Sequence, residues 1–359
     1  MKRHIYFVPL ELLPSRYTVE MRTWVCDALN RLSAHVDWSM VVPAHEAQQS
    51  IAHGQFLDSA NSNAYKAQQL QVICQMFAAG TVNPGSVFLF GDFWFPGVEM
   101  VRMLADLHGV QVTLVGWDYA GMADPHDYYA KTLGAWAGTY ERLLVTQVFD
   151  VLAVGSRAHK QQIEEFVGHP LPHVQPYGLA WDSSHIAPAR ERVKRVVFPH
   201  RFAAEKQPTL FIAAADALHT RYPEWTFEIC TNRDQAPDLS TSCVRYVVHA
   251  TKQDYFDYIS ASAIVVSCAL QETFGYAIQE AIAGGCCVLA PRRASYPEML
   301  CNDDRFLYAT DADFVGALEV AMQNPVAVPR SYTERRHMGV DALLAQALHI
   351  AETKEYAKC

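Results

Sequence analysis

Hydrophobic positions in this chain fall into short runs whose period alternates. Ile5–Val8, Val36–Val42, Val87–Phe90, Val110–Val115 and Val151–Val154 are apolar runs of strand length. Between them Trp24, Val25, Ala28, Leu29 and Leu32 recur at helical spacing, as do stretches from about Asn63 to Ala79 and from Val98 to Leu107. Continuous β-branched runs separated by helices predict parallel strands covered on both faces. The alternation restarts further on, with strands at Val196–Pro199, Trp225–Cys230, Val244–Val247, Ile264–Ser267 and Val288–Ala290. Helices are predicted near Pro208–Thr220, Gln253–Ser260 and Gly275–Ala283. Between the two series, His169 to Pro188 carries prolines at 170, 172, 176 and 188 with no sustained period, which marks a domain boundary. The pattern predicts an α/β chain of two Rossmann-like, doubly wound domains, 1–178 and 179–335, facing each other across a cleft. A last helical segment, 336–359, reads as polar enough to lie on the surface.

Length supports this division, because 359 residues exceed what one core usually serves. The N-terminus opens basic, but its apolar run is broken by Pro9 and Glu11, so it reads as a strand rather than a signal. Without a spanning run of apolar residues, no membrane insertion is expected. Nine scattered cysteines without a C-x-x-C pair suggest neither a zinc site nor a disulfide framework, and a reducing cytoplasm fits them. Cys268, Cys286 and Cys287 lie in apolar runs and read as small buried hydrophobes. A net charge of −9 argues against a whole-surface polyanion binder, leaving two local basic runs, Arg190 to Arg195 and Arg292-Arg293, as candidates for phosphate contact.

The segment richest in chemistry runs from Ser267 to Pro291. Glu272 and Glu280 are separated by seven residues, with Phe274-Gly275 where a helix should begin. A strand, a glycine turn and a helix N-terminus make an anion site, because unpaired N–H groups and the helix dipole converge there. Gly275 offers no Cβ to obstruct a phosphate. Glu280, about a turn along the helix, suits the two hydroxyls of a ribose, and Gly284-Gly285 ends the helix.

These residues resemble those of glycosyltransferase family 4, whose C-terminal domains carry two glutamates at this spacing with Phe-Gly between them. The resemblance implies a GT-B fold and a nucleotide-sugar donor, a UDP- or GDP-sugar, as co-substrate without any cofactor. It assigns Glu280 to the ribose, and Glu272 with the Phe274–Gly275 backbone to the transferred sugar and its phosphate, with Tyr276 and His200 beside them. A second element, Val196 to Pro208, runs a strand into Arg201 and Lys206, two cations suited to neutralise a leaving diphosphate. The wording Phe198-Pro-His-Arg, with Tyr255-Phe256 and Tyr296-Pro-Glu298, is similar to the queuosine-tRNA mannosyltransferase-like branch, and by extension to bacteriophage-type DNA-base glycosyltransferases. That similarity implies hexosyl or pentosyl transfer with retention, without metal, onto a hydroxyl of a modified base in DNA or tRNA. It covers about Val196 to Tyr308 and the linker Pro176 to Asp182.

The N-terminal half gives weaker signals. Family members use a histidine near the reacting sugar, and the comparable strand-end loop here has Asp118, Asp124, His126 and Asp127 instead. These are candidates for proton relay or acceptor contact; the alternative is that Asp124-Pro125 and His126 form a turn and a helix cap. Glu11, Arg16, Tyr17, Asp92 and Trp94 follow two other strands and join Trp117 as acceptor candidates, with Tyr17, Trp94 and Trp117 offered as stacking surfaces. Core packing is the alternative for the aromatic residues. Asp311-Ala-Asp313 imitates a metal-binding D-x-D but reads as a helix start remote from the donor segment, so no metal site is assigned. The rival functions are transfer to a glycan, lipid or small molecule, a GT-B epimerase or phosphorylase, and a nucleotide-sugar-binding protein without catalysis.

Overall fold

The computed structural model describes residues 2–13, 17–43, 58–230, 242–249, 251–334 and 339–356. Arg16 and Cys359 lie outside the described residues. The chain divides into two compact units, Met1–Trp181 with Met338–Cys359, and Asp182–His337.

The first unit is built on a parallel sheet ordered β2-β1-β3-β4-β5-β6, with β1 Arg3–Val8, β2 Val36–Met40, β3 Ser86–Phe90, β4 Val112–Asp118, β5 Val151–Val154 and β6 Val174–Gln175. Its helices are α1 Thr18–Arg31, α2 Ser59–Ala78, α3 Val98–Leu107, α4 Tyr128–Thr132, α5 Trp136–Leu143 and α6 Arg157–Val167. β3 and β5 are buried along their whole length, as continuous apolar runs require when helices cover both faces.

The second unit repeats the design with the order β12-β11-β10-β7-β8-β9, from β7 Val193–Phe198, β8 Thr226–Cys230, β9 Arg245–Val247, β10 Ser262–Val266, β11 Cys287–Pro291 and β12 Leu307–Tyr308. The helices are α7 Pro208–His219, α8 Lys252–Ser260, α9 Tyr276–Ala283, α10 Tyr296–Met299, α11 Phe314–Gln323 and α12 Ser331–Glu334. Period-two alternation splits its core cleanly. Val196, Phe198, Ile264, Val266 and Leu289 pack with Phe211, Leu218 and Phe314 on one face. Val197, Val265, Val288 and Ala290 pack with Ile278, Ile282 and Tyr296 on the other.

The C-terminal segment departs from expectation. Its long helix, α13 (Gly339–Tyr356), packs one face, including the fully buried Leu343, Leu344 and Ala347, on β3, β4 and β5 of the first unit, while Ala345, His349 and Glu352 stay exposed. Tyr177 donates to Gln346 on it at 2.7 Å. The polar positions of α13 had masked a narrow apolar stripe, which the N-terminal sheet covers.

Candidate active site

In the second unit the loops leaving β7, β10, β11 and β12 converge, as the carboxyl ends of parallel strands must. The loop after β10 supplies Glu272 and Gly275. Glu272 Oε1 accepts from the Gly275 N–H at 3.0 Å, and Oε2 receives the Lys206 ammonium at 3.2 Å. Lys206 Nζ also donates to the Gln271 carbonyl at 3.0 Å. Gly275 caps α9 with φ +75°, a backbone conformation that favours glycine. Phe274 is buried, with its ring 4.9 Å from that of Tyr276.

Arg201 pairs with Glu205 one turn on, and the carbonyl of Glu205 accepts from Leu270 N–H at 2.8 Å, which ties the loop after β7 to the loop after β10. His200 is buried; its Nε2 lies 2.9 Å from Ser267 Oγ, which lies 2.6 Å from the Tyr296 hydroxyl. Burial, then the Lys206 and Arg201 cations, hold the His200 imidazole well below its ordinary value and therefore neutral. Glu280 is buried on α9 and meets Lys252 Nζ at 2.9 Å.

Asp311 is not remote from this site, contrary to the sequence expectation. It pairs with Arg293 and accepts from Gln207 Nε2 at 3.1 Å, next to Lys206, while Arg293 Nε donates to the Ala269 carbonyl at 3.1 Å. Asp313 caps its helix through Thr310, so its carboxylate is engaged locally.

In the two basic runs several arginines are engaged within the unit, while Arg190, Lys194 and Arg292 are exposed. Arg192 Nη1 donates to the carbonyls of Ser260 and Ser262 at 2.9 and 3.1 Å, and Nη2 to Gly284 at 3.0 Å. Arg195 bonds Ser262 Oγ and the Tyr258 carbonyl and lies 3.6 Å over the Tyr258 ring. Arg292 pairs with Asp304, and Arg293 with Asp311. Long-range partners, invisible to local reading, make Arg192, Arg195 and Arg293 internal braces, whereas the Arg292–Asp304 pair is exposed.

In the first unit the expected acceptor residues gather at the ends of β1, β3 and β4, but mostly below the surface. Trp117 has no exposed area and Trp94 only 4%, so neither is a stacking surface as it stands. Trp94 Nε1 donates instead to Glu141 at 2.9 Å. Tyr17 is half-buried against Tyr119, with ring centroids 5.2 Å apart. Glu11 is buried and accepts from Ser62 Oγ, and Asp92 takes the Lys66 ammonium at 2.7 Å. Asp124 accepts from His126 N–H at 2.8 Å, and Asp127 caps α4 through Tyr129 N–H at 2.9 Å, which is turn-and-cap work.

Asp118 is buried rather than open to a reacting group, with Oδ1 3.6 Å from His159 Nε2. Burial, then Glu141, Asp92 and Asp127, pushes Asp118 well up, and burial carries His159 down to about 3. Glu141 is pushed up to about 7, by burial first, although Met122 N–H, Ala123 N–H and Trp94 donate to it. His159, Glu141, Lys66 and Lys252 were not singled out in the sequence. The Ser156 hydroxyl that caps α6 at His159 N–H is the one local signal among them.

A model of the family described as glycosyl transferases group 1 matches residues 193–324. That stretch holds the Lys206–Glu272–Gly275 chain and Glu280. The second unit carries a glycosyl transferases group 1 domain. A tRNA-queuosine alpha-mannosyltransferase from Drosophila melanogaster is 28% identical over 155 residues, 41% of this chain and 39% of that protein. The matched stretch thus spans about two fifths of the curated relative's length. Among solved structures, a sucrose-phosphate synthase from Thermosynechococcus elongatus matches with TM-score 0.66 at 13% identity, covering 99% of both chains. Anabaena HepE in complex with UDP-glucose matches with TM-score 0.65 at 11% identity, covering 98% of this chain and 99% of that one. The fold of the chain is therefore GT-B. Among its described residues, no helix is long and apolar enough to cross a membrane.

Proposed function

We propose that this chain transfers a sugar from a UDP- or GDP-sugar to a hydroxyl acceptor, with retention and without a divalent ion. The observation that carries the reading is the connected set of Lys206, Glu272 and the Gly275 N–H at the start of α9. It joins a cation, a carboxylate and a helix N-terminus within one strand-end loop cluster, the combination a sugar diphosphate needs. Arg201 and Lys206 would stabilise the negative charge that grows on the diphosphate as its bond to the anomeric carbon breaks. The acceptor oxygen would attack from the same face and give its proton to the departing phosphate.

For the acceptor, the partial likeness to a relative named for tRNA-queuosine supports a hydroxyl on a modified base in nucleic acid. A small polar acceptor is the second reading, favoured by the engagement of Arg192, Arg195 and Arg293 within the protein. The test is to incubate the protein with labelled UDP- and GDP-sugars and three acceptors: queuosine-containing tRNA, a hydroxymethylated oligonucleotide, and free sugars or nucleosides. Salt-sensitive transfer to one of the polymers supports the first reading. Efficient, salt-insensitive transfer to small acceptors alone refutes it, and tight nucleotide-sugar binding with no turnover refutes catalysis.

A further inference from the structure

Glu280 stands among Ile278, Ala281 and Ile282 on α9, all without exposed surface, and is itself 5% exposed. A carboxylate in such surroundings needs partners, because removing water from a charge is costly unless the charge is paired and hydrogen-bonded. The cationic partner comes from α8: Lys252 Nζ lies 2.9 Å from Glu280 Oε1.

Lys252 is oddly placed for any purpose internal to its own helix. It occupies the first position of α8, where an ammonium faces the positive end of the dipole. The helix is started instead by Thr251 and Asp254, each side chain bonding the other's backbone N–H at 3.1 and 3.0 Å. The Lys252 ammonium is steered toward Glu280 by the rings of Tyr255 and Phe256, whose centroids lie 4.8 and 5.0 Å away. The side chain stays 46% exposed, so this cation borders solvent at the edge of the donor site.

We propose that Lys252 is a positioning residue of the donor site: it fixes the Glu280 carboxylate in the orientation that accepts ribose hydroxyls, and so sets a preference for ribonucleotides over 2′-deoxyribonucleotides. The inference rests on the reading of Glu280 as the ribose contact. A carboxylate has about four acceptor positions, of which Lys252 takes part on Oε1, leaving others for a vicinal diol. Fixing that orientation in advance removes ordering entropy that binding would otherwise have to overcome.

Calorimetric titration with UDP, GDP and their 2′-deoxy counterparts tests this. Lys252→Met keeps the apolar stem on Tyr255 and Phe256 but removes the charge. It is expected to weaken ribonucleotide binding roughly tenfold and the 2′-deoxy form by only about threefold, since the deoxy form keeps the 3′-hydroxyl alone on the positioned carboxylate. Lys252→Arg should restore most of the discrimination. Equal weakening for both forms, or wild-type discrimination retained in Lys252→Met, overturns the proposal. Glu280→Ala separates the two levels. If it abolishes discrimination while Lys252→Met keeps it, the ribose reading stands and the role of Lys252 falls. If Glu280→Ala keeps discrimination, the ribose reading itself falls, and the role of Lys252 with it.

Discussion

The Lys206 ammonium lies 3.2 Å from Glu272 Oε2, on the carboxylate whose other oxygen holds the N–H of Gly275. Arg201 is paired in the same way, with Glu205. Both cations therefore have carboxylate partners before any donor arrives, and a diphosphate carrying more charge than either carboxylate can displace or share them. Lys206→Ala and Arg201→Ala are each expected to lower turnover by roughly two to three orders of magnitude, the loss typical of a preorganised charge-stabilising group. Single-turnover kinetics with a labelled nucleotide-sugar measures this. Full activity in both variants would mean the diphosphate binds elsewhere.

Asp311 invites a different expectation. Its carboxylate is held by Arg293 and Gln207, and Gln207 takes a left-handed φ of +52° between Lys206 and the start of α7. This brace fixes the Lys206 loop from behind. Transfer is accordingly expected to survive EDTA, and Asp311→Ala to reduce turnover equally with and without added magnesium or manganese. Loss of activity on chelation, restored by either ion, would instead make Asp311 and Asp313 metal ligands.

What the sequence revealed and what it hid follow from the range of the interactions. The strands of the second unit were legible because Val196 to Phe198, Ile264 to Val266 and Val288 to Ala290 are short apolar runs whose neighbouring residues feed two different cores. The strand–turn–helix segment that holds Glu272, Gly275 and Glu280 was legible because these residues lie within one short stretch of sequence. The arginines were not, since Arg192 finds its carbonyls 68 to 92 positions away. Neither was the Asp118–His159 couple, assembled from two different strand ends. α5 and α6 also went unread, their apolar positions diluted by charged and amide side chains.

Glu141 gives a pH dependence of defined sign. Its folded value, about 7, lies above its ordinary 4.5, so between these the folded protein keeps a proton that the unfolded chain has lost. Stability from this group is then complete below about 4.5 and is lost as pH rises through about 7. Glu141→Gln, uncharged throughout, lacks that loss. Raising the pH from 5 to 8 is expected to cost the wild type on the order of 2 kcal/mol relative to the variant. Denaturation followed by tryptophan fluorescence suits the measurement, because six of the seven tryptophans belong to the first unit. A stability difference that stays constant with pH would show that Glu141 is ionised in the folded protein throughout.

Arg192 separates structural from nucleic-acid roles for the basic runs. Its guanidinium satisfies the carbonyls of Ser260, Ser262 and Gly284 at one corner of the second unit, where α8, β10 and α9 end or begin. Arg192→Ala strands these acceptors, and losing hydrogen bonds to a charged donor is expected to destabilise the unit by roughly 2–3 kcal/mol. A phosphate-contacting arginine would behave otherwise, with stability little changed and the slope of log affinity against log salt falling by about one counterion. Thermal denaturation and tRNA binding at two salt concentrations, run on the same variant, therefore give opposite answers for the two roles. A fully stable Arg192→Ala protein with a shallower salt slope would return this run to the nucleic-acid surface, and with it strengthen the case for a polymeric acceptor.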